Sequence, residues 1–257
     1  MCLITFCLGQ NPHFPLVVAA NRDEFFHRPT DPMAWWTSDS GLRILAGRDR
    51  QAGGTWLAIT PDGEVSAVTN VREGTPEAGR STRGELPLRA LEEQRSELFR
   101  SLASDPDRYA GFNLIQLNQQ SGWYFSNRDA HPGRHLHRGT YGLSNHLLQT
   151  PWPKLLRLRQ AVDRIVETAD EDADALHQQL IARLQDSEPA PDRFLPDTGV
   201  GLATERFLSS PFIVGDDYGT RATTVVTVSR SGNIRVTEQN WGPGAAKAGC
   251  QRFDWQR

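Results

Sequence analysis

The chain has 257 residues, 38% of them hydrophobic, and a formal net charge of −3 at pH 7. At this length roughly three-quarters of the unfolded surface is buried on folding, so a core needs neither disulfides nor metal. The arginines are scattered, with no basic stripe to mark nucleic acid as a partner.

Leu3 to Leu8 and Pro15 to Ala20 are short apolar runs split by Gly9-Gln10-Asn11-Pro12, which predicts an opening hairpin. Thr30 to Gly41 reads as a loop that shapes a pocket, with Trp35-Trp36 lining it or packing in the core. Thr55 to Thr60, the turn Pro61-Asp62-Gly63, and Glu64 to Thr69 form a second hairpin. Arg72 to Ser81 reads as another pocket-shaping loop. Between Arg83 and Ser104, Leu88, Leu91, Leu98 and Leu102 recur on one helical face. Phe112 to Leu117 and Trp123 to Ser126 make a third hairpin, followed by His131, His135 and His137 in an ordinary surface loop. Two more helices are marked by Leu155, Leu158, Val162 and Ile165, and by Leu176, Leu180 and Leu184, with the acidic stretch Asp170 to Asp174 as their junction. Pro189 to Pro196 is a loop. Thr223 to Ser229, a turn at Ser231-Gly232-Asn233, and Ile234 to Thr237 form the fourth hairpin. Hairpins at both ends with helices between them predict one α+β domain over residues 1–257, its helices covering antiparallel sheets.

Cys2, Cys7 and Cys250 contain no Cys-x-x-Cys pair and make no disulfide framework. The apolar runs are too short to span a bilayer, and Met1-Cys2-Leu3-Ile4-Thr5 lacks a signal peptide's basic leader and long apolar stretch. A cytoplasmic location is expected. No metal site is expected either, since Asp216-Asp217 reads as a solvated turn.

Cys2 is the sharpest chemical feature. Removal of Met1 leaves an α-amine (pKa ~7.7–8.0) and a thiol (~8.5) on one residue. The amine then takes the thiol proton and the thiolate attacks a carbonyl. A hairpin returns its second strand beside its first, so Arg22 and Asp23, at the end of that strand, are brought near Cys2. An Arg there favours the thiolate and an Asp orients the amine. Asn70, Asn145 and Arg221 also fall at apparent strand ends, and asparagine amides suit a developing oxyanion.

These residues belong to a wider pattern. Cys2, Asn21-Arg22-Asp23-Glu24 with Phe25 and Arg28-Pro29, Gly53-Gly54-Thr55-Trp56-Leu57, Thr69-Asn70, Arg83-Gly84-Glu85, Gly111-Phe112-Asn113-Leu114, Thr140 to Asn145 with Pro151-Trp152, and Tyr218-Gly219-Thr220-Arg221 together resemble the NRDE family. This is the family of the animal transport and Golgi organisation protein 2, and the resemblance runs from Met1 to about Val236. It implies a four-layer αββα sandwich of the N-terminal-nucleophile hydrolases, similar to penicillin V acylase and bile-salt hydrolase. By position it implies Cys2 as nucleophile, Arg22 and Asp23 as its early partners, Asn70 and Asn145 at the oxyanion, and Arg221 as a late arginine. Asn21, Glu24 and Trp56 are assigned to substrate binding.

The function expected is an amidohydrolase that splits a linear amide of a small molecule through an acyl-thioester, with no cofactor required. The alternative implied by the resemblance is a non-catalytic carrier, binding haem or an acyl thioester in the same pocket.

Overall fold

The computed structural model describes residues 2–74 and 79–257. Strand β1 (Cys2–Leu8) and residues 16–20 of strand β2 (Leu16–Phe25) are largely apolar on both faces, as suits strands buried on both sides. They lie inside a six-stranded antiparallel sheet with β10 (Gly139–Leu143), β11 (Tyr218–Val228), β12 (Asn233–Trp241) and β13 (Lys247–Gln256), ordered β10-β1-β2-β11-β12-β13. A seven-stranded antiparallel sheet runs in sequence order through β3 (Thr30–Thr37), β4 (Arg43–Asp49), β5 (Leu57–Ile59), β6 (Val65–Asn70), β7 (Phe112–Leu117), β8 (Gly122–Ser126) and β9 (Gly133–Leu136).

Alternation divides each sheet between two cores. Ile4, Phe6, Val18, Val226 and Val236 meet Leu45, Leu57, Val65, Ile115 and Tyr124 between the sheets. On the outer face of the first sheet, Leu3, Val17, Ala19 and Val225 pack against α3 (Pro153–Thr168) and α4 (Ala173–Leu184) through Leu155, Leu158, Val162 and Leu180. On the outer face of the second, Val68, Leu114 and Phe125 pack against α1 (Leu86–Glu92) and α2 (Arg95–Ser104). A short α5 (Leu202–Phe207) precedes β11. The architecture is the four-layer αββα sandwich. Among the described residues, no helix is long and apolar enough to cross a membrane.

The four hairpins stand where the sequence predicts them, but two expectations are corrected, and one strand lies where the sequence raised none. Thr30 to Gly41 is mostly strand β3, paired with β4; only Met33 of β3 is buried, and a register shift between Asp31 and Ala34 erases the alternation. The stretch from Arg83 to Ser104 is broken at Glu93 and Gln94, both extended, so Leu88 and Leu91 pack near Ile44 while Leu98 and Leu102 join another cluster. Lys247–Gln256 forms β13, an edge strand with exposed and half-buried residues alternating. Part of the Arg72 to Ser81 stretch lies outside the described residues.

One helix–sheet contact has a pH signature. His177 of α4 is buried with Nδ1 on the Thr237 hydroxyl and Nε2 on the Thr227 hydroxyl, at 2.9 and 3.0 Å. Burial pushes its pKa down to about 3. In the unfolded chain the imidazole titrates near ~6.5, so the unfolded state takes up the proton first. The neutral ring's stabilising contribution is complete above that value and is lost as pH falls toward the folded pKa. Unfolding free energies from urea titrations are expected to drop more steeply below neutral pH in the parent than in His177→Gln, by about 3 kcal/mol at a pH two units below the unfolded value. Parallel curves for the two proteins refute this.

Candidate active site

Sheet register assembles the site. Cys2 pairs with Arg22 across β1 and β2, and Arg22 pairs with Ala222 across β2 and β11. The Cys2 side chain joins the core between the sheets, and the Arg22 and Glu24 side chains line a cleft on that face. Asn21 and Asp23 alternate to the helix-covered face. The main-chain nitrogen of Cys2 lies on the Asp23 side of the Cys2–Arg22 pair, because an antiparallel register advances one strand as it retreats along the other. Sulfur therefore faces Arg22 and nitrogen faces Asp23.

The cleft, of about 700 Å³, is lined by Cys2, Arg22, Glu24, Trp56 and Asn70 among the expected residues. Arg22 is 6% exposed; its guanidinium lies 4.2 Å from the centroid of the Trp56 ring and 3.8 Å from Glu24 Oε2. Trp56 occupies space that only glycine leaves open, since a Cβ on Gly47 would fall 2.2 Å from the ring. Gly54 is equally constrained: its Cβ would meet the Gly84 carbonyl at 2.4 Å, and Thr55 N–H donates to that carbonyl at 2.9 Å. The two glycine-containing blocks thus clamp Arg83 at the cleft wall.

The asparagines divide their work. Asn145 is fully buried and does not line the cleft; its Nδ2 donates to the Asn70 carbonyl at 3.1 Å and to Asn70 Oδ1 at 3.2 Å. Asn70 is thereby oriented with its NH2 as the end available to a ligand. Asn21 is not in the cleft either. Its Nδ2 donates to the Leu184 and Pro211 carbonyls and its Oδ1 accepts from Thr223, which ties β2 to the end of α4. Arg221 sits at a bulge of β11, between Thr220 and Ala222, where Nη1 donates to the carbonyls of Arg28 and Phe25. It lines a smaller cavity of about 230 Å³ on the far side of Arg22 and Trp56, not the wall beside Cys2.

Burial pushes the Cys2 thiol up; Arg22 pulls it back without overcoming that effect. Asp23 accepts from the Thr220 hydroxyl at 2.7 Å, and burial raises its carboxyl against the opposing pull of Lys154.

Several site residues were not singled out from the sequence. Arg28, Arg72, Arg83 and Tyr218 line the cleft. Arg28, Arg83 and Tyr218 lie inside motif blocks that carried a signal. Arg72 had none: it is buried, paired with Glu205 of α5, and stacked on Trp152 at 4.8 Å. Lys154, in the first turn of α3, is 2% exposed and donates to the Leu208 carbonyl at 2.8 Å. Its only mark was rarity, as one of two lysines. Arg22, Arg28, Arg72 and Arg83 outnumber Glu24 and Asp49 on the wall, so the cleft is cationic in an anionic protein.

Residues 1–243 match the family model Transport and Golgi organisation 2. A Bos taurus Transport and Golgi organization protein 2 homolog is 34% identical over 262 residues, covering 93% of each chain. The Homo sapiens homolog is 34% identical over 259 residues with the same coverage, and the Drosophila melanogaster protein is 28% identical over 266 residues. Among solved structures, the mutant C2A conjugated bile acid hydrolase from Clostridium perfringens aligns with a TM-score of 0.53 at 7% identity, over 99% of this chain and 92% of that one, a likeness of fold. On sequence similarity across nearly its whole length, this chain belongs to the Transport and Golgi organisation 2 family.

Proposed function

We propose that the protein is an N-terminal-cysteine amidohydrolase that cleaves a linear amide of an anionic small molecule, after removal of Met1. The observation that carries this is the placement of Cys2, with its sulfur in an arginine-walled cleft and its main-chain nitrogen toward Asp23. The neighbouring fold is that of a bile acid hydrolase studied as its C2A mutant, which adds support.

In the proposed mechanism, the free α-amine of processed Cys2 accepts the thiol proton as sulfur bonds to the amide carbon. Because burial raises the thiol, the proton moves during attack and not beforehand. The carbonyl oxygen becomes an oxyanion that the Asn70 NH2 stabilises, a donor worth ~2.7–4 kcal/mol when well placed. Collapse breaks the C–N bond, the ammonium returns its proton to the leaving amine, and an acyl-thioester remains for water to hydrolyse. Asp23 holds the amine, and Asn145 holds Asn70. A cytoplasmic site of action, where Cys2, Cys7 and Cys250 stay reduced, is part of this proposal.

Met1 lies outside the described residues, so its removal is tested directly. Intact mass is expected to be one methionine short, and limiting iodoacetamide is expected to label Cys2 ahead of the exposed Cys250. A retained methionine, or Cys2 labelled no faster than Cys250, sinks the proposal.

The raised thiol favours a second reading. A protonated Cys2 beside four guanidiniums and the apolar side chains of Phe25, Val68 and Leu208 suits binding without turnover, to an acyl thioester or to haem through its carboxylates. A Soret shift on titrating the protein with haem, together with no amide turnover, supports this carrier over the enzyme.

A further inference from the structure

The four guanidiniums on the wall of the Cys2 cleft are not equivalent, because three of them are matched by carboxylates of the chain itself. Arg22 faces Glu24 Oε2 at 3.8 Å. Arg28 turns both Nε and Nη2 to Asp49 Oδ2, each at 2.8 Å. Arg72 Nη1 holds Glu205 Oε2 at 2.5 Å. Arg83 has no carboxylate partner among the described residues. Its hydrogen bond runs from Nη1 to the Gly111 carbonyl, at 3.1 Å. Glu73, which packs close to Gly111, is paired with Arg128 Nε at 2.5 Å.

That single bond decides what Arg83 can still do. With Nη1 tied to the main chain, Nε and Nη2 form the free edge, two parallel N–H groups that a carboxylate accepts bidentately. The chain uses this same edge elsewhere. Arg206 Nε and Nη2 take the two oxygens of Asp192 at 2.8 and 2.6 Å, and Arg89 takes those of Glu93 at 2.5 and 3.0 Å. Arg83 is also held at its base. Gly84 N–H donates to Thr82 Oγ1 at 3.3 Å, and the close approach of Gly54 to the Gly84 carbonyl fixes the same turn from the other side. A half-buried cation anchored at both ends loses little freedom on meeting a ligand. Its burial disfavours the charged form, a cost that a bound anion offsets.

We infer that Arg83 is the specificity-determining residue of the cleft, its Nε–Nη2 edge receiving a carboxylate carried by the substrate. Arg22, Arg28 and Arg72 are balanced within the protein, so the substrate class is a carboxylate-bearing amide and not a neutral or cationic one. This rests on the amidohydrolase reading for what is cleaved, but not for what is bound.

Two probes carry the carboxylate on opposite sides of an amide: hippurate on the amine side and N-phenylsuccinamate on the acyl side. Each is compared with its methyl ester by calorimetric titration of full-length Cys2→Ala protein, which binds without turnover. At least one carboxylate is expected to bind about tenfold or more tightly than its ester. Adding Arg83→Gln is expected to abolish that preference. Arg83→Lys, which keeps the charge but not the fork, is expected to lose most of it. The inference is overturned if neither carboxylate is held more tightly than its ester, or if the preference survives in either Arg83 variant. If the processed parent cleaves neither amide, the hydrolase reading loses its support, while the ratio of affinities still decides the role of Arg83.

Discussion

Cys2→Ala is expected to leave the fold in place and to reduce amide turnover by about ten-thousandfold or more, the scale seen when a covalent nucleophile is deleted. Backbone pairing of Cys2 with Arg22 does not involve the side chain, and the lost sulfur leaves a small gap at the edge of the cleft, a penalty of about 1 kcal/mol. Cys2→Ser separates chemistry from shape. The hydroxyl keeps the geometry, but an α-amine of ordinary basicity is poorly matched to an alcohol proton, so a large loss is expected there too. Release of amine from a panel of anionic N-acyl compounds, followed beside thermal unfolding, measures both effects. Turnover that survives in a folded Cys2→Ala protein would falsify the nucleophile assignment.

Glu205→Gln is expected to destabilise the protein by about 3–5 kcal/mol, among the largest effects of any single polar substitution. The reason lies with Arg72. It is buried, and among the described residues its Nε and Nη2 have no hydrogen-bond partner and its one direct ion pair is with Glu205. Removing that carboxylate charge leaves a guanidinium stranded beside Trp152 and Lys154. Arg72→Met/Glu205→Gln should regain most of the loss, because the stranded charge goes with its partner. The exposed Arg206–Asp192 pair is a control; Asp192→Asn should leave the urea midpoint unmoved. A Glu205→Gln midpoint equal to that control would show that Arg72 is solvated after all.

Local signals in the sequence were sufficient for the hairpins and for the two helices over the first sheet. Pro61-Asp62-Gly63 and Ser231-Gly232-Asn233 fix turns by backbone chemistry alone, and Leu155 to Ile165 repeats at helical spacing. β3 and β13 were invisible because edge strands bury little, so their side chains need not alternate in polarity. At the site, Cys2, Arg22, Glu24, Trp56 and Asn70 were legible, and the structure brings them to one cleft. Asn21 and Asn145 look alike as letters, yet their roles follow from strand parity and from which carbonyls lie nearby, neither of which a single sequence reveals. Arg72, Lys154 and Glu205 come from three separate segments that meet only in the folded chain.

The place of β2 within its sheet governs how a newly made chain acquires its reactive end. One edge of β2 finds β1 at once, but the other waits for β11, where Thr223 meets Asn21 from 202 positions downstream. At ~5–20 residues per second, ribosomes need roughly 10–40 s to deliver that partner. Through that interval an apolar strand edge and an uncovered sulfhydryl stand open on the nascent polypeptide, so its yield in cells should depend on chaperone supply and on freedom from oxidants during translation.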